Sequence, residues 1–398
     1  MTRPRPLQIV FAPDSFKECL DAPAVAAAMA AGWRQVAPED TLLLKPLADG
    51  GEGTTSALVL SQGGHLYPCT VSDPLGRPVT AHFGLIDQGR TAVLEVAQAS
   101  GLHLVPPAER DALRASSRGT GELMRAALAS GADTLLIGLG GSATTDAGMG
   151  LLQALGARCL DAQGAPLPPG GGQLTRLAFL DLAPALALLQ RVRLRAATDV
   201  SNPLLGSHGA AAVFAPQKGA SQEAVHLLEA GLRQVAKIAS AQGREIDTFA
   251  GAGAAGGIGA ALGGLLGAEM VSGVETVIAA VHLEEAVRHA DLVITGEGRL
   301  DAQSAAGKVP AGVCRLAHRH KVPVLALAGQ VMEDIGPLLG RGLSAAMPIS
   351  SDPLPRDEAF CLAAAHLAAR TAAVARSCHE VGVAEAMARL REQRRSPR

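Results

Sequence analysis

The strongest constraint on this chain is a recurring unit: a short apolar run that leads through a polar loop containing Asp into a helical stretch. Residues 7–12 (LQIVFA) lead through PDSFK into an Ala-rich stretch at 22–36, residues 135–139 (LLIGL) through GGSATTD into 148–156, and residues 292–295 (LVIT) through GEGRLD into 308–320. Short runs of Leu and β-branched residues bounded by turn formers read as strands buried on both faces, and the helical stretches between them as crossovers. This alternation predicts the α/β class with a mostly parallel sheet. In such sheets ligands meet the loops at the carboxyl ends of the strands, so the Gly- and Asp-rich loops are where chemistry is to be sought.

The stretch 66–110 breaks the pattern. Residues 67–71, 79–83 and 92–96 are closely spaced strand candidates, with DPLG at 73–76 as turn chemistry. Alternating units return in the last third, with a strand at 322–328 and a long Ala-rich helix over 357–376. A chain of 398 residues also exceeds the usual single domain. The prediction is a discontinuous core over 1–66 and 283–398, interrupted by an inserted α/β domain over 67–282, with the active site in the cleft between them. The basic tail at 389–398 reads as a solvated terminus.

Composition narrows the partners. Lys plus Arg number 35 against 37 Asp plus Glu, a formal charge of -2, and 2% of residues are aromatic. A chain with neither a basic field nor stacking platforms is not built for nucleic acid. The cysteines at 19, 69, 159, 314, 361 and 378 form no CxxC pair and read as reduced core thiols. Residues 7–12, behind Arg3 and Arg5, are too few for a signal-peptide core, and no long run is apolar enough for a membrane span. The expectation is a cytoplasmic protein acting on a small molecule, with a homo-oligomer allowed.

Phosphoryl transfer asks a protein for backbone N–H groups or cations around phosphates, carboxylates for Mg²⁺ and a proton acceptor. Four loops offer these in pieces. After the first strand, Asp14, Ser15 and Lys17 stand ahead of a helix, where Asp14 could equally be a cap. In ADGGEGT, Gly50 and Gly51 separate Asp49 from Glu52; glycine lets backbone approach a ligand, and two acids can hold a metal or take a proton. In GLGGSATTDAG, Gly140, Gly141 and Ser142 run toward a helix whose amino end would suit phosphate or carboxylate, although helix-on-sheet packing also asks for small residues. In TGEGRLD, Gly296, Glu297, Arg299 and Asp301 follow a strand, with Gly307 and Lys308 behind; mutual salt bridging accounts equally well for Arg299. SSRGTGE at 116–122 adds Arg118 as a fork for a carboxylate.

Two familiar motifs fail on context. GAGAAG at 251–256 fits GxGxxG, but REIDT at 244–248 is no buried strand. Gly307 and Lys308 are followed by Val309, with Ala302 at the leading glycine position of a P-loop. HRD, DFG and GxSxG are missing as well.

In order, APDSFKE, PLADGGEGT, DPLGRPV, SSRGTGEL, IGLGGSATTDAG, DVSNPLLG, GAAAVFAPQKGA and ITGEGRLDAQ resemble the glycerate kinase type 1 family of bacteria, from about residue 8 to about residue 375. The resemblance implies a Rossmann-like three-layer core interrupted by a second α/β domain. It also implies phosphorylation of D-glycerate by ATP with Mg²⁺, with 2-phosphoglycerate favoured over 3-phosphoglycerate. The chain departs from the commoner pattern at Arg118, Thr145 and Ala147 and in the Ser304-Ala305-Ala306 linker.

Together these readings place Asp14, Lys17, Asp49 and Asp199 at the chemistry, with Asp14, Asp49 or Asp199 as the base. Gly50, Gly51, Gly140, Gly141, Ser142, Gly296 and Arg299 would line the nucleotide. Ser15, Arg77 and Arg118 would meet the glycerate, and Glu52, Glu297 and Asp301 the metal. A hydroxy-acid dehydrogenase and a non-catalytic small-acid-binding protein are the alternatives. The first lacks the strand before 251, and the second has no use for acids at strand ends.

Overall fold

The computed structural model describes residues 5–305, 307–350 and 354–395. The expectations for Arg3, Ala306 and the last three residues of the tail lie outside these ranges. The chain divides into two compact units: residues up to Asp49 together with those from Val274 onward, and Gly50–Gly273.

A five-stranded, wholly parallel sheet underlies the first unit, in the order Ala345–Pro348, Val324–Val331, Leu292–Leu300, Gln8–Phe11, Thr41–Leu44. Alternate residues of a strand serve opposite faces. Ile9, Phe11, Leu292, Ile294, Leu325 and Leu327 enter one core with Met29 and Trp33 of the Ala22–Arg34 helix and Leu367 of the Arg356–Val381 helix. Val10, Val293 and Ala326 are buried between them in sequence, on the opposite face, and the Val309–Arg319 helix also packs against the sheet. The Ala22–Arg34 helix starts on Asp21, whose carboxylate accepts the Ala24 N–H at 2.8 Å, with Pro23 in the first turn, where the missing donor costs nothing. Near its far end Gly32 lies against the long helix: a Cβ there would stand 2.0 Å from the Ala368 carbonyl oxygen.

The Gly50–Gly273 unit holds a six-stranded sheet, in the order Glu269–Val271, Arg193–Ala197, Thr134–Gly138, Thr91–Glu95, Pro78–Ile86, His65–Ser72. The first four strands are parallel and the last two antiparallel. The three strands expected between 67 and 96 therefore form a meander at one edge of an otherwise parallel sheet. The Thr54–Gln62 helix packs on this edge so closely that a Cβ on Gly84 would stand 2.3 Å from Val59 Cγ2. That packing explains why the unit begins at Gly50 and not at 67.

Two expectations are corrected. The strand at 292–295 continues to Leu300, so Gly296, Glu297 and Arg299 are strand residues in register with Leu327, Ala328 and Gln330, not loop residues. Of the cysteines, Cys159, Cys314 and Cys378 are core thiols, but Cys19 and Cys69 are half-buried and Cys361 is exposed; all six are free. Among the described residues no helix is long and apolar enough to cross a membrane.

Replacing Gly32 by Ala should lower the free energy of unfolding by about 2 kcal/mol or more, because a methyl group would have to push two helix backbones apart. The shift of the denaturant midpoint measures this, and an unchanged midpoint would show that the helices separate freely.

Candidate active site

In the first unit, hydrogen bonds sew the loop after Gln8–Phe11 to the neighbouring strand. Ala12 N–H donates to Ile294 O and Asp14 N–H to Gly296 O, both at 2.8 Å, and the Thr295 hydroxyl donates to Ala12 O at 2.8 Å. Asp14 is thereby buried within electrostatic reach of Asp49 and Glu297. Burial, then the Asp49 charge, raises the Asp14 carboxyl well above its usual range; Glu297 adds to this, while the Ser15 N–H at 2.7 Å and Lys17 oppose it. Glu297, also buried, is raised by desolvation, with Lys308 and Ser304 opposing and Asp301 and Asp49 adding. Lys308 Nζ lies 3.7 Å from Glu297 Oε2, and Oε1 has no hydrogen-bond partner among the described residues.

Two buried carboxyls raised by burial and by neighbouring acids, one of them with an unsatisfied buried oxygen, suit a hard cation. Among the described residues no three His, Cys, Asp or Glu side chains form a preformed metal cluster. Mg²⁺ is generally held through one or two carboxylates and otherwise by water and phosphate. Asp301 is fixed locally: its N–H donates to the Ser304 hydroxyl at 3.1 Å, its carboxylate accepts the Ser304 N–H at 3.3 Å, and Arg299 Nε stands 3.4 Å away. Lys17 and Arg299 are exposed and Ser15 half-buried. Gly296 is closed to a ligand, because a Cβ there would stand 2.2 Å from Leu327 O; pairing of the two strands explains that glycine.

In the second unit the glycines expected to make room for phosphate make room for each other. Gly140 N–H donates to Gly50 O at 3.2 Å. A Cβ on Gly138 would stand 2.4 Å from Gly50 O, and one on Gly140 2.4 Å from Gly51 Cα. Gly50, with φ of 80°, also faces Ala197 O. The helix expected over 148–156 runs from Met149 to Ala154 and has 6 residues. Its first donors are already taken: Asp146 accepts Gly148 N–H at 3.1 Å and Gly150 N–H at 3.3 Å, and Ser117 Oγ accepts Leu151 N–H at 3.0 Å. Asp146 further accepts the Ser117 N–H and hydroxyl at 2.8 and 2.9 Å. The anion at this helix end is the chain's own side chain. Gly141 remains exposed, and Ser142 is 7% exposed.

Other expected residues are scattered. Asp199 accepts the Ser272 hydroxyl at 2.6 Å, and Glu52 is exposed. Arg77 is clamped by Asp73 at 2.6 Å and Glu109 at 2.7 Å. Arg118 pairs with Glu122 at 2.9 Å and borders a cavity of about 220 Å³ with Ser72, Pro74, Arg114 and Ser116. The glycines at 251–256 follow no strand and are packing residues: a Cβ on Gly256 would stand 1.8 Å from Thr144 O.

Glu95 and Lys218 are among the buried ionisable groups to which the sequence reading gives no role. Glu95, 1% exposed at the end of its strand, accepts Thr55 N–H at 2.6 Å and Gly53 N–H at 3.3 Å, and so holds the amino end of the Thr54–Gln62 helix. Burial pushes its carboxyl up to about 7, against those donors. A Glu inside the apolar run TAVLEV is the signal that marks it. Lys218, 3% exposed, donates to Ser142 Oγ at 3.0 Å and to Thr144 O at 2.6 Å; burial lowers its pKa to about 7, with Asp146 opposing. Its signal is the PQKG segment, to which the sequence reading gives no residue role.

A family model described as the glycerate kinase family matches residues 9–379. The chain is 47% identical over 344 residues to a glycerate kinase of Haemophilus influenzae, covering 86% of this chain and 91% of that protein. It is 45% identical over 355 residues to a glycerate 2-kinase of Escherichia coli, covering 89% and 93%. The chain belongs to the glycerate kinase family. A crystal structure of a Salmonella typhimurium LT2 protein provisionally assigned as glycerate kinase 2 has 43% sequence identity and a TM-score of 0.79, covering 94% of this chain and 98% of that one. The glycerate kinase family match takes in the Asp14, Asp49 and Glu297 acids and also Glu95 and Lys218.

Glu95 gives a pH test. The folded state holds its proton more tightly than an unfolded Glu does, so its contribution is fully present below pH 4.5 and is lost as pH rises to about 7. Glu95→Gln should remove this share. The excess stability of wild type over variant should fall by on the order of 3 kcal/mol between those limits in denaturant titrations; parallel curves would refute the assignment.

Proposed function

We propose that this chain is an ATP-dependent D-glycerate kinase that uses Mg²⁺ and forms 2-phosphoglycerate, with Gly50–Gly273 as the domain inserted into a discontinuous core. The observation that carries the reading is the pair of buried, raised carboxyls Asp14 and Glu297, both acted on by the Asp49 charge, beside Lys17 and Lys308 in a glycerate kinase family member. The name of the Escherichia coli relative, glycerate 2-kinase, supports attack by the 2-hydroxyl.

Asp14 takes the proton of the attacking hydroxyl. Its raised proton affinity brings it nearer to neutrality, where a carboxylate is a more effective base. Glu297, with Asp49 or Asp301, would hold Mg²⁺, which would supply neutralisation of the phosphate charge. Lys17, Lys308 and Arg299 add positive charge where negative charge develops, so transfer is helped by electrostatics set up before the reaction. In the second unit, Gly141 and the Ser142 hydroxyl offer donors to an oxyanion.

ADP release in a coupled assay, with a phosphorus spectrum of the product, tests this reading. ADP should form only with D-glycerate and ATP present, and the product should carry the 2-phosphate resonance. A 3-phosphate resonance would overturn the regiochemistry, and no glycerate-dependent ADP would overturn the activity. Asp14→Asn should slow single-turnover transfer by roughly 10²- to 10⁴-fold. If Asp14→Asn, Asp49→Asn and Asp199→Asn all keep near-wild-type rates, the scheme is abandoned.

A further inference from the structure

We propose that Lys218 is a positioning residue that turns the Ser142 hydroxyl into a hydrogen-bond donor for a ligand oxyanion at the 140–144 loop. Lys218 closes the Pro216–Lys218 turn and points its ammonium into the interior, to Ser142 Oγ at 3.0 Å and Thr144 O at 2.6 Å. In the first of these bonds Lys218 Nζ donates and Ser142 Oγ accepts, and a protonated lysine has no lone pair with which to take the serine proton in return. The proton of that hydroxyl is therefore directed away from the lysine. Ser142 keeps 7% exposure next to the exposed Gly141, so its proton has a route to a bound group.

The rest of the loop isolates this arrangement. Ala143 N–H donates to Ser100 O and Leu102 N–H to Gly141 O, both at 2.8 Å, which pins the backbone on either side of Ser142. The hydroxyls of Thr144 and Thr145 are fully buried and have no hydrogen-bond partner among the described residues. The loop's middle is thus held by the lysine and not by its own side chains. A buried ammonium is a costly tether, since a neutral amide could bridge the same two acceptors. What the ammonium adds is positive potential. Asp146, the carboxylate that supports it, is engaged by four donors of its own, from Ser117, Gly148 and Gly150. Positive field and a directed hydroxyl proton are what an oxyanion needs, whether it is a nucleotide phosphate or the carboxylate of the acceptor.

The inference rests on the kinase reading for its assay. Steady-state kinetics of Ser142→Ala, Lys218→Met and the double variant test it, with the unfolding transition of each as a check on folding. Both single variants should raise the KM of the same substrate about tenfold, the scale of one lost charge-assisted hydrogen bond. The double variant should be no worse than the worse single, because the two residues act as a unit. A raised KM for glycerate assigns the carboxylate, and a raised KM for ATP assigns a phosphate. Multiplying effects, effects on different substrates, or unchanged KM values in Ser142→Ala overturn the proposal. If Lys218→Met does not fold, Ser142→Ala decides alone. If wild type makes no ADP from glycerate, the kinase reading has failed separately. Calorimetric titration of the same proteins with inorganic phosphate then decides, with a tenfold loss of affinity supporting the inference and equal affinity overturning it.

Discussion

Burial of carboxylates near the ends of parallel strands is the constraint around which both units are arranged. A carboxylate taken out of water costs several kcal/mol unless donors or cations surround it, so each such residue dictates its neighbourhood. Glu95 gathers the Gly53 and Thr55 N–H groups and thereby sets where the Thr54–Gln62 helix begins. Asp146 gathers Ser117, Gly148 and Gly150 and so joins the starts of two helices. Both have several donors, and their role is architectural. Asp14 and Glu297 differ: neighbouring acids, Asp49 among them, raise both, and one oxygen of Glu297 has no hydrogen-bond partner among the described residues. The contrast between satisfied and unsatisfied buried acids separates scaffold from chemistry more clearly than residue type does.

Glycine use follows a similar division. Gly138 and Gly140 meet Gly50 and Gly51 backbone to backbone, with distances that leave no space for a Cβ. Such a contact brings the loop after Thr134–Gly138 and the start of the unit into one rigid assembly. The anion-binding capacity expected of these glycines is thereby confined to the exposed Gly141 and to Ser142. Gly296 is likewise claimed by the neighbouring strand. Glycine-rich sequence near a strand end marks close approach of something, and here that something is mostly the chain itself.

Much of the architecture is legible from periodicity. The apolar runs at 7–12, 135–139 and 322–328 are strands because parallel sheets bury both faces, and the stretches after them are helices. The strand ending at Leu300 is harder to read, since Gly, Glu and Arg are poor strand formers that pairing with Val324–Val331 holds extended. Within the candidate site, Asp14 is legible as an acid just after a strand, and Asp49 and Glu297 as acids beside glycine. Lys218 is not, because a lysine in PQKG looks like a solvated turn residue until the fold encloses it.

The amino-acid sequence by itself determined the α/β class, the family and the set of acids from which a phosphoryl-transfer site can be made. These depend on local pattern and on the order of short segments, both of which are written along the chain. Only the tertiary structure decided which acids are satisfied, which glycines are occupied by backbone, and that Lys218 reaches Ser142 across 76 positions of sequence. The physical reason is that the free energy of a charge depends on the donors, cations and water around it in three dimensions, and residues distant in sequence supply most of these.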